Sequence, residues 1–411
     1  MQKFEKHSPV VVTEVTTKHE LRQFMQYPNR LYADNPNYIP SFYGDDLSDW
    51  TPGKNPAFDY CEARCWLAWR GGEIVGRIGA ILSHKANDKF GTHRMRFSQV
   101  DFVDDSEVSA ALFGTVERWA RQKGCDQVHG PLGFTDMDRE GMLVEGFDRR
   151  SLFITNYNAP YYPEHLTRLG YRKDVDWIEY RISVPAPGSA EAERLHKLSE
   201  FILKRKHLHV ATLHHKSEYG PFVRQVFELV NAAYAPLYGV VELSDEQIER
   251  YANKFIPLVD PDFVCFVLDE QDKLVAFGVT TLDPSPALKH SDGRLFPFGW
   301  AEVLNDLHHG DTLIMLLTAV RPDLQTEGIN AVMMDHVCQS CNRHGVQFAE
   351  TGPMLELNDH ILAQWKRLEK EQHKRRRCFI KDLDHGINAA NAAAAAQAEA
   401  PEAAPAAESA E

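Results

Sequence analysis

Three places in this 411-residue chain hold residue types at spacings that could do chemistry. In the first, the apolar stretch "TLIMLLTAV" (312–320) gives way to "RPDLQTEGIN" (321–330). A helical pattern follows, with apolar Val332, Met333 and Val337 and a glycine stop at 345. The N–H groups that open a helix have no partner within it and lie at the positive end of its dipole, which suits a phosphate. Gly328 lets such a ligand approach the backbone closely. The second place is the long segment "HGPLGFTDMDREGMLVEGFDRRSLFITNYNAPYYPEHL" (129–166). It gathers His129, Asp136, Asp138, Glu140, Glu145, Tyr157, Tyr161 and Tyr162 around several glycines. Its carboxylates could pair with an ammonium group, and its tyrosines could line the approach. The alternative is a solvated acidic turn with its aromatic rings packed on the core. The third place is Glu350 in "FAETG", on a strand whose period of two sets it on one face with Phe348 and Gly352.

These groups need a frame, and the chain writes one twice. "CWLAWRGGEIVGRIGAIL" (65–82) and "FVCFVLDEQDKLVAFGVTTL" (263–282) are both apolar strand, polar turn, apolar strand, which predicts two hairpins. "WARQKGCDQVHGPLGFTDMD" (119–138) and the segment 338–359 are both helix end, glycine stop, apolar strand and Gly-Pro turn. "RLGYRKDVDWIEYRI" (168–182) and "RLEKEQHKRRRCFIKDL" (367–383) are both helix end and closing strand. The expectation is an α/β protein of two tandem mixed-sheet domains at about 1–184 and 195–385. The Pro-, Gly- and Ala-rich "SVPAPGSAEAE" (183–193) links them. The crossing in the first half lacks the glycine, and Asp104, Asp105 and Glu107 would repel a phosphate. They suit helix capping instead, with Asp105 or Ser106 as N-cap.

The crossing in the second half resembles motif A of the GNAT acyltransferase superfamily, a strand, then V-x-P-x-x-Q/R-x-x-G-x-G/A, then a helix. Here it reads Val320, Pro322, Gln325, Gly328 and Asn330. The resemblance implies that this half binds the pyrophosphate of coenzyme A through Gln325, Thr326, Glu327, Gly328, Ile329 and Asn330. It places the strand backbone at Leu317, Ala319 and Val320 beside the thioester. An asparagine follows in the family, here Asn358. Seven residues further on, where the family often has a Tyr acting as general acid, this chain has Trp365, and an indole N–H is no proton donor to a thiolate. "KNPAFDYCEARCWLA", "HGPLGFTDMDREGMLVEGF" and "HKRRRCFIK" resemble a bacterial group of tandem GNAT proteins, in or near which fall bacterial ceramide synthases that N-acylate a sphingoid base. The resemblance implies acyl transfer from a thioester of coenzyme A or of acyl carrier protein to a small-molecule or lipid amine, without a metal. Under that chemistry Glu350 is the expected base, with His129 and Asp136 as competitors, and Asp138, Glu140, Tyr157 and Tyr161 are expected to meet the acceptor. Two other readings stay open. One is a sensor that binds an acyl-CoA or lipid without turnover, and the other is an aminoacyl transferase of the peptidoglycan-bridge type.

The net charge of −14 counts against a nucleic-acid partner, transfer RNA included. The dense basic runs "LKRKHLH" (203–209) and "HKRRRC" (373–378) read as solvated charge or as contacts for cofactor phosphates, a carrier protein or anionic lipid. No apolar stretch reaches the length of a membrane span, and the N-terminus is too short in apolar residues for a signal peptide. The expectation is a cytoplasmic protein, with peripheral contact at the inner face of the membrane as its furthest excursion. The seven cysteines are scattered and read as buried thiols. The Ala- and Glu-rich tail 389–411 has no aromatic or large aliphatic residue and is expected to be disordered.

Overall fold

The computed structural model describes residues 8–384, so the expectation for the tail lies outside the described residues. Its strands are β1 (Val11–Glu14), β2 (Cys61–Arg70), β3 (Glu73–Ser83), β4 (Arg94–Phe102), β5 (Gln127–Gly130), β6 (Met142–Glu145), β7 (Arg172–Ser183), β8 (His209–Val210), β9 (Val264–Leu268), β10 (Leu274–Leu282), β11 (Thr312–Val320), β12 (Phe348–Thr351), β13 (Met354–Leu355) and β14 (Lys370–Asp382). They join into one continuous sheet in the order β1-β2-β3-β4-β5-β14-β7-β12-β11-β10-β9-β8, with β6 beside β14 and β13 beside β7. Both hairpins form as the composition predicts, β2–β3 and β9–β10. The crossings are helix Ser106–Gln122 in the first half and helix Asn330–His344 in the second.

The last strand of each half is built into the other half, which the matched closing strands did not foretell. β7, from the first half, pairs antiparallel with β12, from Phe348↔Ser183 to Glu350↔Arg181. β14, from the second, pairs antiparallel with β5, from Phe379↔Gly130 to Asp382↔Gln127, and runs beside β7 along most of its length. Charge matches the exchanged pair. Arg376 Nε lies 2.5 Å from Glu179, Arg377 Nε 2.8 Å from Asp176, and Lys374 Nζ 3.5 Å from Glu179 and 3.3 Å from Glu350 of β12. Arg376 and Glu179 have no solvent exposure. Burial alone would raise the Glu179 carboxyl, but Arg376 and Lys374 together hold it below the usual range. The run 373–378 is therefore neither solvated surface nor an anion site; it lies in the middle of the sheet.

The two halves differ where their central parallel strands part. β11 and β12 pair from Thr312↔Phe348 to Met315↔Thr351, after which β12 ends and β11 runs on to Val320, leaving a wedge open on that edge. In the first half β4 and β5 pair only from Arg94↔Gln127 to Arg96↔His129. There the chain fills its own gap. Leu132 N–H donates to Phe97 O at 3.0 Å, Phe102 N–H to the Tyr162 hydroxyl at 2.8 Å, and the Tyr161 hydroxyl to Phe102 O.

Candidate functional site

The open wedge leads to the loop between β11 and helix Asn330–His344. Pro322–Leu324 form a single 3-10 turn, and the Gln325 amide donates to Val320 O at 3.3 Å, tying the loop to the strand end. Gly328 takes φ +80°, a left-handed backbone that disfavours a side chain, and a Cβ there would meet Ile202 at 3.2 Å. The N–H groups of Thr326, Gly328, Ile329 and Asn330 have no backbone acceptor among the described residues. That of Glu327 donates to Leu324 O at 3.1 Å and is closed to a ligand. The Glu327 carboxylate, which would oppose a phosphate, is paired with Lys206 Nζ at 2.6 Å. Lys206 ends helix Ala190–Lys206, so the basic run 203–209 lies at the lip of this loop. The matching helix start in the first half is closed: Asp105 accepts from Glu107 N–H at 2.9 Å, and Arg70 locks Asp105 and Glu107 in place.

Behind the wedge are two apolar lobes of about 1310 and 1510 Å³, open space at their mouths included. The larger runs from Asn330 and Met333 past Thr318 to Asn358 and Trp365. The other lies among Val223, Val226 and Phe227 of helix Gly220–Tyr234 and Tyr251, Phe255 and Ile256. They meet at a shared wall of Leu316, Leu317, Gly352, Trp177, Tyr234, Asp136 and Glu140. The acidic loop of the first half thus reaches the splayed strands of the second. Asp136 and Glu140 are only half-buried because the cavity itself touches them, yet closely packed protein surrounds them. Desolvation pushes the Asp136 carboxyl up to about 6. Desolvation, reinforced by the neighbouring charge of Asp136, raises Glu140 well above the carboxylate range. Both carboxyls, four residues apart on one loop, are thus pushed upward by desolvation. Asp138, beside them, accepts from Phe134 N–H at 2.8 Å and Thr135 N–H at 3.2 Å, which makes it the brace of the loop. A Cβ at residue 133 would stand 2.2 Å from that of Asp138, so the bend requires Gly133.

The other expected site residues lie elsewhere. Glu350 does not touch the cavity: its neighbours Ala349 and Thr351 line the larger lobe, and period two turns Glu350 to the opposite face, against Lys374. His129 is buried one layer behind the wall. Its Nδ1 meets the Tyr238 hydroxyl at 3.0 Å, and desolvation keeps it far below its ordinary pKa. That hydroxyl also donates to Asp174 at 2.6 Å and lies 3.5 Å from Cys378 Sγ. It therefore stands among the three potential ligand atoms of His129, Asp174 and Cys378, which lie within 4.8 Å of one another. Tyr157 packs with Tyr32 and Tyr38, and Tyr161 with Phe102 and Tyr162, in the first half's core, away from either lobe. Leu317 lines both lobes, whereas the Ala319 and Val320 side chains are buried in cores, leaving only their backbone near the wedge. Asn358 lines the larger lobe and caps helix Asp359–Ala363 through Ile361 N–H at 3.2 Å. The Trp365 indole N–H is engaged by Met354 Sδ at 3.1 Å. Sequence reasoning passed over Tyr234, Tyr238 and the apolar lobe in helix 220–234. A signal was present: Phe222, Val223, Val226, Phe227, Leu229 and Val230 cover more of that helix than one packed face needs.

No family model matches the chain. It is 27% identical over 383 residues to protein YghO of Escherichia coli, covering 91% of this chain and 95% of that protein. It is 29% identical over 299 residues to the bacterial ceramide synthase of Caulobacter vibrioides, covering 71% of this chain and 75% of the relative. Among solved structures, a tandem GNAT protein from the clavulanic acid biosynthesis pathway matches with a TM-score of 0.52 at 13% identity, over 92% of this chain and 100% of that one.

Proposed function

We propose that this tandem GNAT chain is an N-acyltransferase that moves an acyl group from a thioester to a long-chain amine, a sphingoid-base-like amino alcohol being the best fit. The observation that carries the reading is the placement of Asp136 and Glu140 where two apolar lobes meet, one of which opens at the loop of Gly328. The donor is a coenzyme A thioester, with an acyl carrier protein thioester as the other form of the same chemistry. Its phosphates sit on the free N–H groups of residues 326 and 328–330, and its pantetheine arm enters the wedge beside β11. A lobe on either side of the junction accommodates one chain each, acyl and acceptor, and the ceramide synthase relative supports a lipid amine.

The amine nitrogen attacks the thioester carbonyl carbon. Asp136, ionised at neutral pH, takes a proton from the nitrogen, directly or through one water. The tetrahedral intermediate collapses, the C–S bond breaks, and the thiolate takes a proton from Glu140, whose carboxyl is raised by desolvation and by the neighbouring Asp136. This gives Glu140 the task that the family's tyrosine performs and Trp365 cannot. Glu350, on the far face and paired with Lys374, has no part in the step. A carboxylate at 136 also attracts the ammonium form of the acceptor before it loses its proton.

The test is release of free thiol from acyl-CoAs of graded chain length by the purified protein with a panel of amines, long-chain amino alcohols included. Amine-dependent thiol release with an amide product is expected. Binding of acyl-CoA without turnover of any amine would leave a non-catalytic sensor.

A further inference from the structure

Four of the large apolar side chains exposed among the described residues fall within nine positions: Phe296 at 82%, Phe298 at 75%, Trp300 at 48% and Leu304 at 42%. They stand on the loop before helix Gly299–His309 and on that helix's outer side. The inner side holds Val303 and Leu307, which pack with Ile314 of β11. Leu316 and Ile154 join the same cluster and line the apolar lobe that faces helix 220–234, so the cluster beneath helix Gly299–His309 reaches the cavity wall. The loop is held from the first half. Tyr43 N–H donates to Gly293 O at 3.0 Å, and the Asn29 amide to Asp292 O at 3.1 Å.

A shallow depression at the base of this loop is lined by Arg30, Lys289 and Arg294, with Asp292 as the one carboxylate among its lining residues. None of the three cations has an ion-pair partner among the described residues, although the protein as a whole is acidic. Lys289 Nζ donates to Asn35 O at 2.8 Å, which leaves two of its hydrogens free, and the Arg294 guanidinium lies over the Tyr43 ring. Two phenylalanine rings at least three-quarters exposed and a half-exposed tryptophan thus stand beside three cations that outnumber the one carboxylate among them.

We infer that this surface docks on an anionic lipid bilayer, with Phe296, Phe298 and Trp300 entering the acyl boundary and Arg30, Lys289 and Arg294 meeting lipid phosphates. Side chains that project singly offer a protein partner no continuous flat surface. A bilayer needs none, because it takes rings into its interior and supplies phosphates at the same depth to any cation beside them. The docking surface stands apart from the acyl-transfer reading, and its test requires no catalysis.

The full chain is floated with vesicles of phosphatidylcholine alone and of phosphatidylcholine with phosphatidylglycerol. The wild-type protein is expected to float with the anionic vesicles. Phe296→Ser with Phe298→Ser should lower the bound fraction by about tenfold or more, and Arg30→Glu with Arg294→Glu by about tenfold, both with an unchanged thermal transition. Lipids brominated in the acyl chain should quench Trp300, and Trp300→Phe should remove that quenching. The inference is overturned if wild-type protein stays unbound with anionic vesicles. It is also overturned if the Phe296, Phe298 variant floats as wild type, or if the patch proves to join two copies, with sedimentation showing a dimer that this variant dissociates and no vesicle binding. Thiol release from a soluble short-chain donor and amine should be the same in all three variants, so loss of docking and failure of the proposed chemistry give different results.

Discussion

Under the proposed mechanism, Asp136 pulls stability and activity in opposite directions. Its folded pKa is raised by desolvation, so folding favours its protonated form. The stability it contributes is present below the unfolded value of about 3.9 and is lost as the pH rises through about 6. At neutral pH the buried charge is a burden, so Asp136→Asn should raise stability by ~1–2 kcal/mol, allowing for cavity water, and the gain should vanish near pH 4. The same substitution should abolish the proposed base. Amide formation by wild-type protein should rise through about pH 6 and fall again where Glu140 ionises; in Asp136→Asn the acid limb should disappear along with most of the rate. Thermal unfolding and initial rates across pH check both, and a stable variant with undiminished turnover would remove Asp136 from the mechanism. These roles were only partly legible in the sequence. The carboxylates of 136–140 announced themselves as a cluster on an elaborated loop. Glu350 sat on the right strand, but a period of two does not say which face the cavity takes, and the basic partner that claims it, Lys374, comes from an exchanged strand. Tyr157 and Tyr161 shared the acidic loop's sequence neighbourhood, but the first half's own gap required them as packing.

Strand, loop and helix from 312 to 344 were readable because an uninterrupted apolar run, a glycine and a 3.6-residue period follow one another without ambiguity. The loop's proposed role in holding the donor rests on one backbone conformation, the left-handed Gly328. Gly328→Val should strain that backbone and bring a branched side chain onto the approach of a phosphate and against Ile202. Donor affinity should fall by about tenfold or more. Gly124 has a similar φ of +75° with open space around it, so Gly124→Ala incurs comparable backbone strain far from the wedge. Calorimetric titration with an acyl-CoA should show the loss in the first variant alone. Equal losses in both would mean that general destabilisation, and not the loop, sets affinity. The second apolar lobe was harder to see than the loop. The wide apolar face of helix 220–234 says that more than one neighbour is met, but whether it and helix 245–255 close on each other or leave a space is decided by packing over distances that periodicity does not encode.

At the scale of the whole molecule the duplication was legible and the exchange was not. Segments 168–182 and 367–383 share the pattern of helix end and closing strand, which does not say which half each strand completes, and the choice is reflected in long-range pairs such as Arg376–Glu179 and Arg377–Asp176. A chain ended after Leu368 should lose its single cooperative thermal transition, because both β5 and β7 lose a neighbour. A synthetic peptide of 370–384 added during refolding should restore it. A truncated chain that melts cooperatively unaided would show that the exchanged strand is dispensable. The exchange also imposes an order on biosynthesis. β5 emerges early, but the strand that covers its edge is made some 250 residues later, on the order of tens of seconds at ordinary translation speeds. For that interval the nascent first half presents a bare strand edge beside the ribosome, where self-pairing between neighbouring nascent chains on one message competes with waiting for the chain's own end.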